Sequence, residues 1–278
     1  MPGPLTRHAL RALVALAGRE LARFARQTGR LVSALVRPLL WLAVFAAGFR
    51  NVFGIAIVEP YDTYVPYDVY IAPGLVGMVL LFNGMQGSLA MVYDREMGLM
   101  RLLLTAPLPR WWLLLAKLLA TSLLSVLQAL AFVAVAAVLG TVLPVSGWHA
   151  LHALAALAAS AAMLAALGLL MSVHIRQLEN FAGTMNFVIF PMYFMSTALY
   201  PLWKLEESGA AWVHAVAQVN PFTHAVEWMR FALYGKDPGV APWVVLGVGL
   251  AAFVLACRGY DPRRSFATLG RQGPGAPA

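Results

Sequence analysis

Six long apolar segments are the feature of this 278-residue sequence that most restricts its fold. A helix needs about 20 apolar residues to cross the hydrocarbon core of a membrane, which is roughly 30 Å thick. Lipid offers the backbone no hydrogen-bond partner, so a spanning segment must be helical. The sequence therefore predicts an all-α integral membrane protein with six transmembrane helices, near residues 36–56, 71–92, 114–142, 150–172, 181–203 and 240–258.

The composition supports a membrane protein and excludes several kinds of site. Only 12% of the residues are charged, whereas a soluble domain carries about a quarter. The single cysteine, Cys257, excludes an intrachain disulfide and a cysteine-rich metal site. His149 and His152 stand three residues apart with no obvious third ligand, so we expect no metal site. The first thirty residues carry arginine throughout, so we expect no cleavable signal peptide.

Residues 1–30 have the pattern of an amphipathic helix. At 100° per residue one side carries Arg7, Arg11, Arg19, Arg23, Arg26 and Arg30, and the other carries Leu10, Leu13, Val14, Leu21 and Phe24. Such a helix fits the surface of a membrane, where arginines meet anionic headgroups. A solvated helix packed on a soluble partner is the alternative that this pattern leaves open.

The distribution of positive charge predicts the orientation in the membrane. Sixteen of the twenty Lys and Arg lie in the N-terminal region, the loop near residues 93–117, the loop near 173–180 and the C-terminal tail. The four others, Arg50, Lys204, Arg230 and Lys236, lie on the opposite side of the predicted spans. The positive-inside rule makes the first side, with both termini, cytoplasmic. The net charge of +8 therefore reflects topology, and we expect no nucleic-acid partner.

The segment between the fifth and sixth spans predicts short helices at the outer face. Asn220 followed by Pro221 is typical of a helix N-terminus, and Gly235 of a helix end. Phe222, Val226 and Met229 repeat between them at helical spacing. A helix of this length is too short to span the membrane. The sequence therefore predicts short outer helices that re-enter the membrane.

The predicted spans hold only neutral polar residues at depth. Proton- and sodium-coupled transporters usually need ionisable groups there, and these spans have no Asp or Glu well inside. The neutral residues are Asn83, Gln86, Ser125, Gln128 and Asn186, besides Ser122, Ser196 and Thr197. Two interpretations stay open, hydrogen bonding between helices and the lining of a translocation path.

No phosphate-binding G-x-x-x-x-G-K-[ST] motif occurs in the sequence, and we assign no catalytic residues. If the chain transports, its energy must then come from another subunit. The charged loop YDREMGLMRLLLTAPLPRWW, residues 93–112, is the natural docking surface. It predicts a short helix from about Asp94 to Leu104, with Asp94 and Glu96 at its N-terminus and Arg101 near its end. A well-capped turn without a docking role is the alternative.

This loop resembles the cytoplasmic loop of ABC-2 type permeases, the membrane subunits of bacterial ABC exporters. The matching residues are Tyr93, Asp94, Arg95, Glu96, Gly98, Arg101, Ala106, Pro107 and Arg110. Similar stretches are Arg37–Trp41, Ala72–Gly74, residues 190–201 and Asn220–Thr223. The resemblance runs from about residue 30 to 260. It assigns residues 31–260 to an ABC-2 type transmembrane domain, after an interfacial helix at 1–30 and before a tail at 261–278.

The resemblance implies one half of a homodimeric or heterodimeric pore above separate ABC ATP-binding subunits. ATP and Mg would bind to those subunits, and no cofactor would bind to this chain. Export across the bacterial inner membrane is the implied activity. The residues implied in ATPase coupling are Asp94, Arg95, Glu96, Gly98 and Arg101. Those implied at an outer gate are Phe190, Pro191, Tyr200, Asn220, Pro221 and Glu227.

Two other classes of function remain possible on the sequence. A secondary transporter fits six spans but lacks buried carboxylates and detectable inverted repeats. A membrane-embedded lipid-modifying enzyme would need His, Asp, Glu or Cys clustered near one face, and the sequence offers no such cluster. A neighbouring gene for an ATP-binding subunit would favour the permease over both.

Overall fold

The computed structural model describes residues 11, 14–15, 17–19, 21–22, 26, 28–49, 54–55, 60–61, 65–97, 109–141, 143, 147–175, 177–207 and 209–259. The described residues between 11 and 22 are helical. The helices with assigned bounds are α1 (Thr28–Phe49), α2 (Tyr67–Glu96), α3 (Arg110–Val138), α4 (Gly147–His174), α5 (Leu178–Phe194), α6 (Leu202–Glu207), α7 (Ala211–Val219), α8 (Pro221–Tyr234) and α9 (Ala241–Gly259). Two short strands, β1 (Gly54–Ile55) and β2 (Val65–Pro66), lie between α1 and α2.

Four of the described helices are long and apolar enough to cross a membrane. They contain Tyr67–Asp94, Trp111–Val138, Gly147–His174 and Ala241–Gly259, which correspond to the predicted second, third, fourth and sixth spans. The apolar part of α1 is the shorter stretch Leu35–Phe45, and α5 has 17 residues. The structure is therefore that of a mostly helical membrane protein, and the number of six spans stays a prediction.

Two of the predicted spans differ from the helices that form. The prediction extends the first span to residue 56, but Gly54 and Ile55 pair antiparallel with Pro66 and Val65. Glycine weakens a helix, and β-branched Ile and Val favour an extended backbone. The fifth span was predicted to reach residue 203, whereas α5 ends at Phe194 and turns follow it.

Helices α2 and α4 form the centre of the molecule. Helix α2 contacts α1, α3, α4, α5 and α8, and α4 contacts α2, α3, α8 and α9. The two helices approach closely at Gly84 and Gly168. A Cβ atom placed on Gly168 would lie 2.6 Å from the Gly84 carbonyl oxygen and from the Ser88 hydroxyl. Small residues allow such contact between membrane helices, whose association depends on close packing.

Replacing Gly168 with alanine should therefore destabilise the chain, because a backbone carbonyl would have to move. We expect a loss of roughly 1–3 kcal/mol, seen as a lower unfolding temperature of the purified protein in detergent. Gly247→Ala in α9 is the matched control, since a Cβ there meets no atom within 4 Å. Equal unfolding temperatures for the two variants would contradict the close α2–α4 contact.

Candidate functional site

The segment that joins α5 to α6, Met195–Pro201, is held by side chains from distant parts of the chain. We call it the α5–α6 turn. The Tyr67 hydroxyl of α2 donates to the Leu199 carbonyl oxygen at 2.6 Å. The Thr197 carbonyl oxygen accepts from the Tyr70 hydroxyl at 3.3 Å and from the Arg230 guanidinium at 2.9 Å. Side chains from the start of α2 and from α8 therefore hydrogen-bond to the same turn.

Asn220 connects the N-terminus of α8 to the end of α5. Its side-chain oxygen accepts from the Phe222 backbone N–H at 3.0 Å, which caps α8. Its amide nitrogen donates to the Met192 and Met195 carbonyl oxygens at 2.8 and 2.7 Å. Those carbonyls belong to the last turn of α5 and the residue after it, where a helix leaves acceptors unpaired. The predicted N-cap is thus confirmed, and the same side chain satisfies a second helix end.

The predicted end of this helix is also confirmed. Helix α8 begins at Pro221 and ends before Gly235, whose φ of 65° is left-handed. Glycine adopts that conformation without the steric cost of a Cβ atom. The chain forms α6, α7 and α8 where short helices were predicted, and their re-entry into a membrane stays a prediction.

Arg230 is the most deeply buried charged side chain at this end of the described structure. It is 2% exposed, and its guanidinium lies 2.5 Å from the Glu227 carboxylate, one helical turn earlier. The same group lies 4.2 Å from the centroid of the Tyr70 ring. A buried charge requires such partners. Arg230 therefore ties Glu227, Tyr70 and Thr197 into one cluster.

A second layer of aromatic side chains surrounds this cluster. The Tyr61 ring lies 4.9 Å from the Tyr234 ring and 6.0 Å from the Tyr70 ring, measured between centroids. Burial raises the pKa of Tyr61 well above its ordinary value, and the Arg230 charge acts in the opposite direction. Tyr61 is therefore neutral over the physiological pH range.

The structure brings some of the predicted outer-gate residues together. Asn220 and Glu227 contact the α5–α6 turn directly or through Arg230, and the Tyr200 hydroxyl donates to the Phe194 carbonyl oxygen. Phe190 lies one turn earlier on α5, partly exposed, and stacks on Phe194 at 6.2 Å. The exposed Pro191 and half-buried Pro221 occupy the last turn of α5 and the first turn of α8.

At the other end of α2 the structure corrects the predicted place of Asp94. The prediction puts Asp94 and Glu96 at the N-terminus of a separate short helix, but α2 continues through both residues. An acidic residue at a helix C-terminus opposes the helix dipole. Asp94 instead pairs with Lys117 of α3 at 2.7 Å, and both side chains are buried. Asp94 therefore joins α2 to α3, and its role in coupling stays a prediction.

The rest of the predicted coupling set is only partly described. Arg95 and Glu96 are the last residues of α2, and Met97 forms a turn. Gly98 and Arg101 lie outside the described residues, as does the remainder of the predicted short helix. Their role in coupling stays a prediction.

Two of the five predicted path residues line a depression that the structure describes, and the role of all five in a translocation path stays a prediction. Asn83 and Gln86 share a depression between α1 and α2 with Arg37 and Phe82. Ser125 donates to the Thr121 carbonyl oxygen within its own helix, at 2.8 Å. Gln128 is buried on α3, and Asn186 is exposed on α5. Neither residue is part of the lining of that depression.

The sequence-based prediction missed Arg37, Lys117 and Arg230 as site residues, although the sequence held signals for Lys117 and Arg230. Arg230 follows Phe222 and Val226 at intervals of four, which places it on the apolar face of its helix. Lys117 lies two turns inside an apolar helix, where a charge needs a partner. Arg37 was counted with the cytoplasmic charges, yet it lies well inside α1.

Several long apolar helices around a buried core define a multi-pass membrane protein. The family model described as "ABC-2 type transporter" matches residues 11–234. Two similar proteins carry the name "putative transport permease ycf38". The one from Cyanophora paradoxa is 29% identical over 228 residues, covering 80% of this chain and 74% of its own length. The one from Porphyra purpurea is 27% identical over 229 residues, covering 82% and 76%. The chain belongs to the ABC-2 type transporter family.

Proposed function

We propose that this chain is the membrane subunit of an ATP-driven exporter whose ATP is bound by a separate subunit. The observation that carries the proposal is the family match over residues 11–234. The sequence has no phosphate-binding G-x-x-x-x-G-K-[ST] motif of its own. ATP and Mg then belong to the partner, and a second permease copy completes the pore.

The asymmetry of positive charge supports an orientation for this complex. Fourteen of the twenty Lys and Arg lie on the side of the termini and the 93–112 loop, without Arg37 and Lys117, which lie inside helices. In a bacterial inner membrane that side faces the cytoplasm, where the ATP-binding subunit resides. The α5–α6 turn and α8 then lie on the outer side, as a gate requires.

Helix α2 gives a physical route for coupling between the two sides. Its 30 residues make it about 45 Å long. One end carries Asp94, which is paired with Lys117 of α3. The other end carries Tyr67 and Tyr70, which hold the α5–α6 turn. If the ATP-binding subunit pushed on the loop after Met97, α2 would move. Tyr67 and Tyr70 would then transmit that motion to the α5–α6 turn.

Reconstitution of the chain with its co-encoded ATP-binding subunit tests this function. The chain alone in liposomes should hydrolyse no ATP, and the ATP-binding subunit should change its hydrolysis rate when the chain is added. A partner variant that lacks the lysine of its phosphate-binding loop is the control, and its complex should be inactive. Hydrolysis by the isolated chain, or failure to form a complex with that subunit, would count against the proposal.

A further inference from the structure

An open depression between α1 and α2 combines an arginine, two amides and apolar walls. Arg37 and Pro38 of α1 and Met78, Phe82, Asn83 and Gln86 of α2 line it. Its empty volume, including the part open to the surroundings, is about 340 Å³. Because that volume includes open surroundings, the depression is shallow and can receive only part of a ligand, such as a polar head group, and not a whole lipid.

Arg37 lies at an unusual depth for a charged side chain. Its guanidinium carbon is 3.9 Å from the centroid of the Phe82 ring. Phe82 occupies the middle of α2, a helix long and apolar enough to cross a membrane. An ionisable group at that depth is costly and usually marks a functional site.

The charge of Arg37 has no acidic partner in the part of the chain that the structure describes. Its side chain is exposed on the surface of this single chain. Stacking on Phe82 occupies one face of the planar guanidinium and leaves the N–H groups at its edge able to donate. Those groups form a fork that fits a phosphate or a carboxylate through two parallel hydrogen bonds.

Asn83 supplies a second donor in the same depression. Its side-chain nitrogen is buried and has no hydrogen-bond partner within the described ranges. The amide nitrogen carries two N–H donors, which can bond to an oxygen of a ligand in the depression. A buried donor without a partner costs free energy, so a ligand oxygen would remove that cost.

The surroundings of the depression are apolar and exposed. Leu40 and Val44 of α1 are each 60% exposed. On the other side Phe190 of α5 lies 6.4 Å from the Phe82 ring and is itself about half exposed. A hydrocarbon chain could lie along either surface while its head group reaches Arg37.

We propose that the α1–α2 depression binds an amphiphile with an anionic phosphate or carboxylate head and an apolar tail. Arg37 holds the anion, Asn83 adds a hydrogen bond, and the exposed apolar side chains of α1 and α5 receive the tail. This binding requires neither ATP nor the ATP-binding subunit. A failure to bind the amphiphile would therefore leave the proposed dependence on ATP intact. A failure of the dependence on ATP would likewise leave the proposed binding intact.

Native mass spectrometry of the full chain, released from a non-ionic detergent, measures this binding. The probes are phosphatidic acid, a diacylglycerol with the same chains, a fatty acid, and inorganic phosphate. We expect phosphatidic acid or the fatty acid to bind about tenfold or more tightly than diacylglycerol or inorganic phosphate. The tighter of the two identifies the head group as phosphate or carboxylate.

Variants of the chain then test the assigned residues. Arg37→Gln should weaken binding of the anionic probe about tenfold or more and leave diacylglycerol binding unchanged, whereas Arg37→Lys should retain part of the affinity. Arg258→Gln at the exposed end of α9 is the matched control and should bind as the unaltered chain does. Asn83→Ala keeps the charge of Arg37 and should weaken binding of the anionic probe by a smaller factor. This variant tests the site if Arg37→Gln fails to fold. Diacylglycerol binding as tightly as phosphatidic acid and fatty acid, or unchanged anion binding in Arg37→Gln or Asn83→Ala, would overturn the proposal.

Discussion

Replacing Arg230 with methionine should lower the unfolding temperature of the chain far more than replacing Lys204 with methionine. Both residues form an ion pair with a glutamate three positions away on a short helix. Arg230 and Glu227 have side chains that are 2% and 24% exposed. Lys204 and Glu207 have side chains that are 57% and 60% exposed. The two pairs thus differ mainly in burial.

The expected difference follows from what each substitution leaves behind. Loss of Arg230 removes a donor from the Thr197 carbonyl oxygen, the partner of Glu227 and the cation beside the Tyr70 ring. Breaking a buried pair by removing one member costs about 3–5 kcal/mol. An exposed pair contributes at most about 1 kcal/mol, and often nothing measurable.

Thermal unfolding in detergent, followed by fluorescence-detected size exclusion, measures both variants under the same conditions. A change of 1 kcal/mol shifts the midpoint by roughly 2–4 °C for chains near this size. The Arg230→Met midpoint should therefore fall by roughly 6 °C or more, and the Lys204→Met midpoint by about 4 °C or less. Glu227→Gln should lie between them, because Arg230 keeps its bond to Thr197. Equal midpoints for the Arg230 and Lys204 variants would show that the cluster does not hold the α5–α6 turn.

Helix α8 illustrates what the sequence alone could predict. Its start at Asn220 and Pro221 and its end at Gly235 depend on residues that lie within one turn of each boundary. Caps are local interactions, so a short stretch of sequence contains all that determines them. The central apolar helices were predictable for the same reason, because length and hydropathy are local properties.

The end of α5 could not be predicted in this way. Residues 195–203 are as apolar as the helix before them, yet the helix stops at Phe194. The Ser196 hydroxyl donates to the Tyr193 carbonyl oxygen at 2.6 Å and accepts from the Ala198 backbone N–H at 3.2 Å. The Asn220 amide nitrogen donates to two further carbonyl oxygens, of residues more than 20 positions earlier in the chain. The Ser196 contacts are local, but the Asn220 contacts are distant in sequence, so residues 195–203 alone do not reveal the boundary.

The place of Asp94 was predicted incorrectly for a related reason. The acidic residues of YDRE suit a helix N-terminus when only the loop is considered. Lys117, 23 residues later on α3, supplies the charge that allows Asp94 to lie at the buried end of α2. The sequence indicated that Lys117 needed a partner, but several acidic residues could have met that need.

Replacing either member of the Asp94–Lys117 pair should lower the free energy of unfolding of the chain, whether or not the pair takes part in coupling. Asp94→Asn leaves Lys117, whose side chain is 10% exposed, without its 2.7 Å anionic partner. Lys117→Met removes the cation from Asp94, whose side chain is 4% exposed. Each single variant should lose about 3–5 kcal/mol. Glu206→Gln, which alters an exposed acidic residue of α6, is the control and should change the midpoint little.

The double variant Asp94→Leu/Lys117→Met decides whether this pair is structural or part of the coupling machinery. Replacing both charges with apolar side chains leaves neither position with a buried charge that has lost its partner, and such a replacement often restores stability. If the pair only joins α2 to α3, the double variant should unfold near the unaltered chain and retain transport with the ATP-binding subunit. If the pair also transmits the motion of α2, stability should return while transport stays low. Full stability in both single variants would instead show that Asp94 and Lys117 are not paired in the membrane.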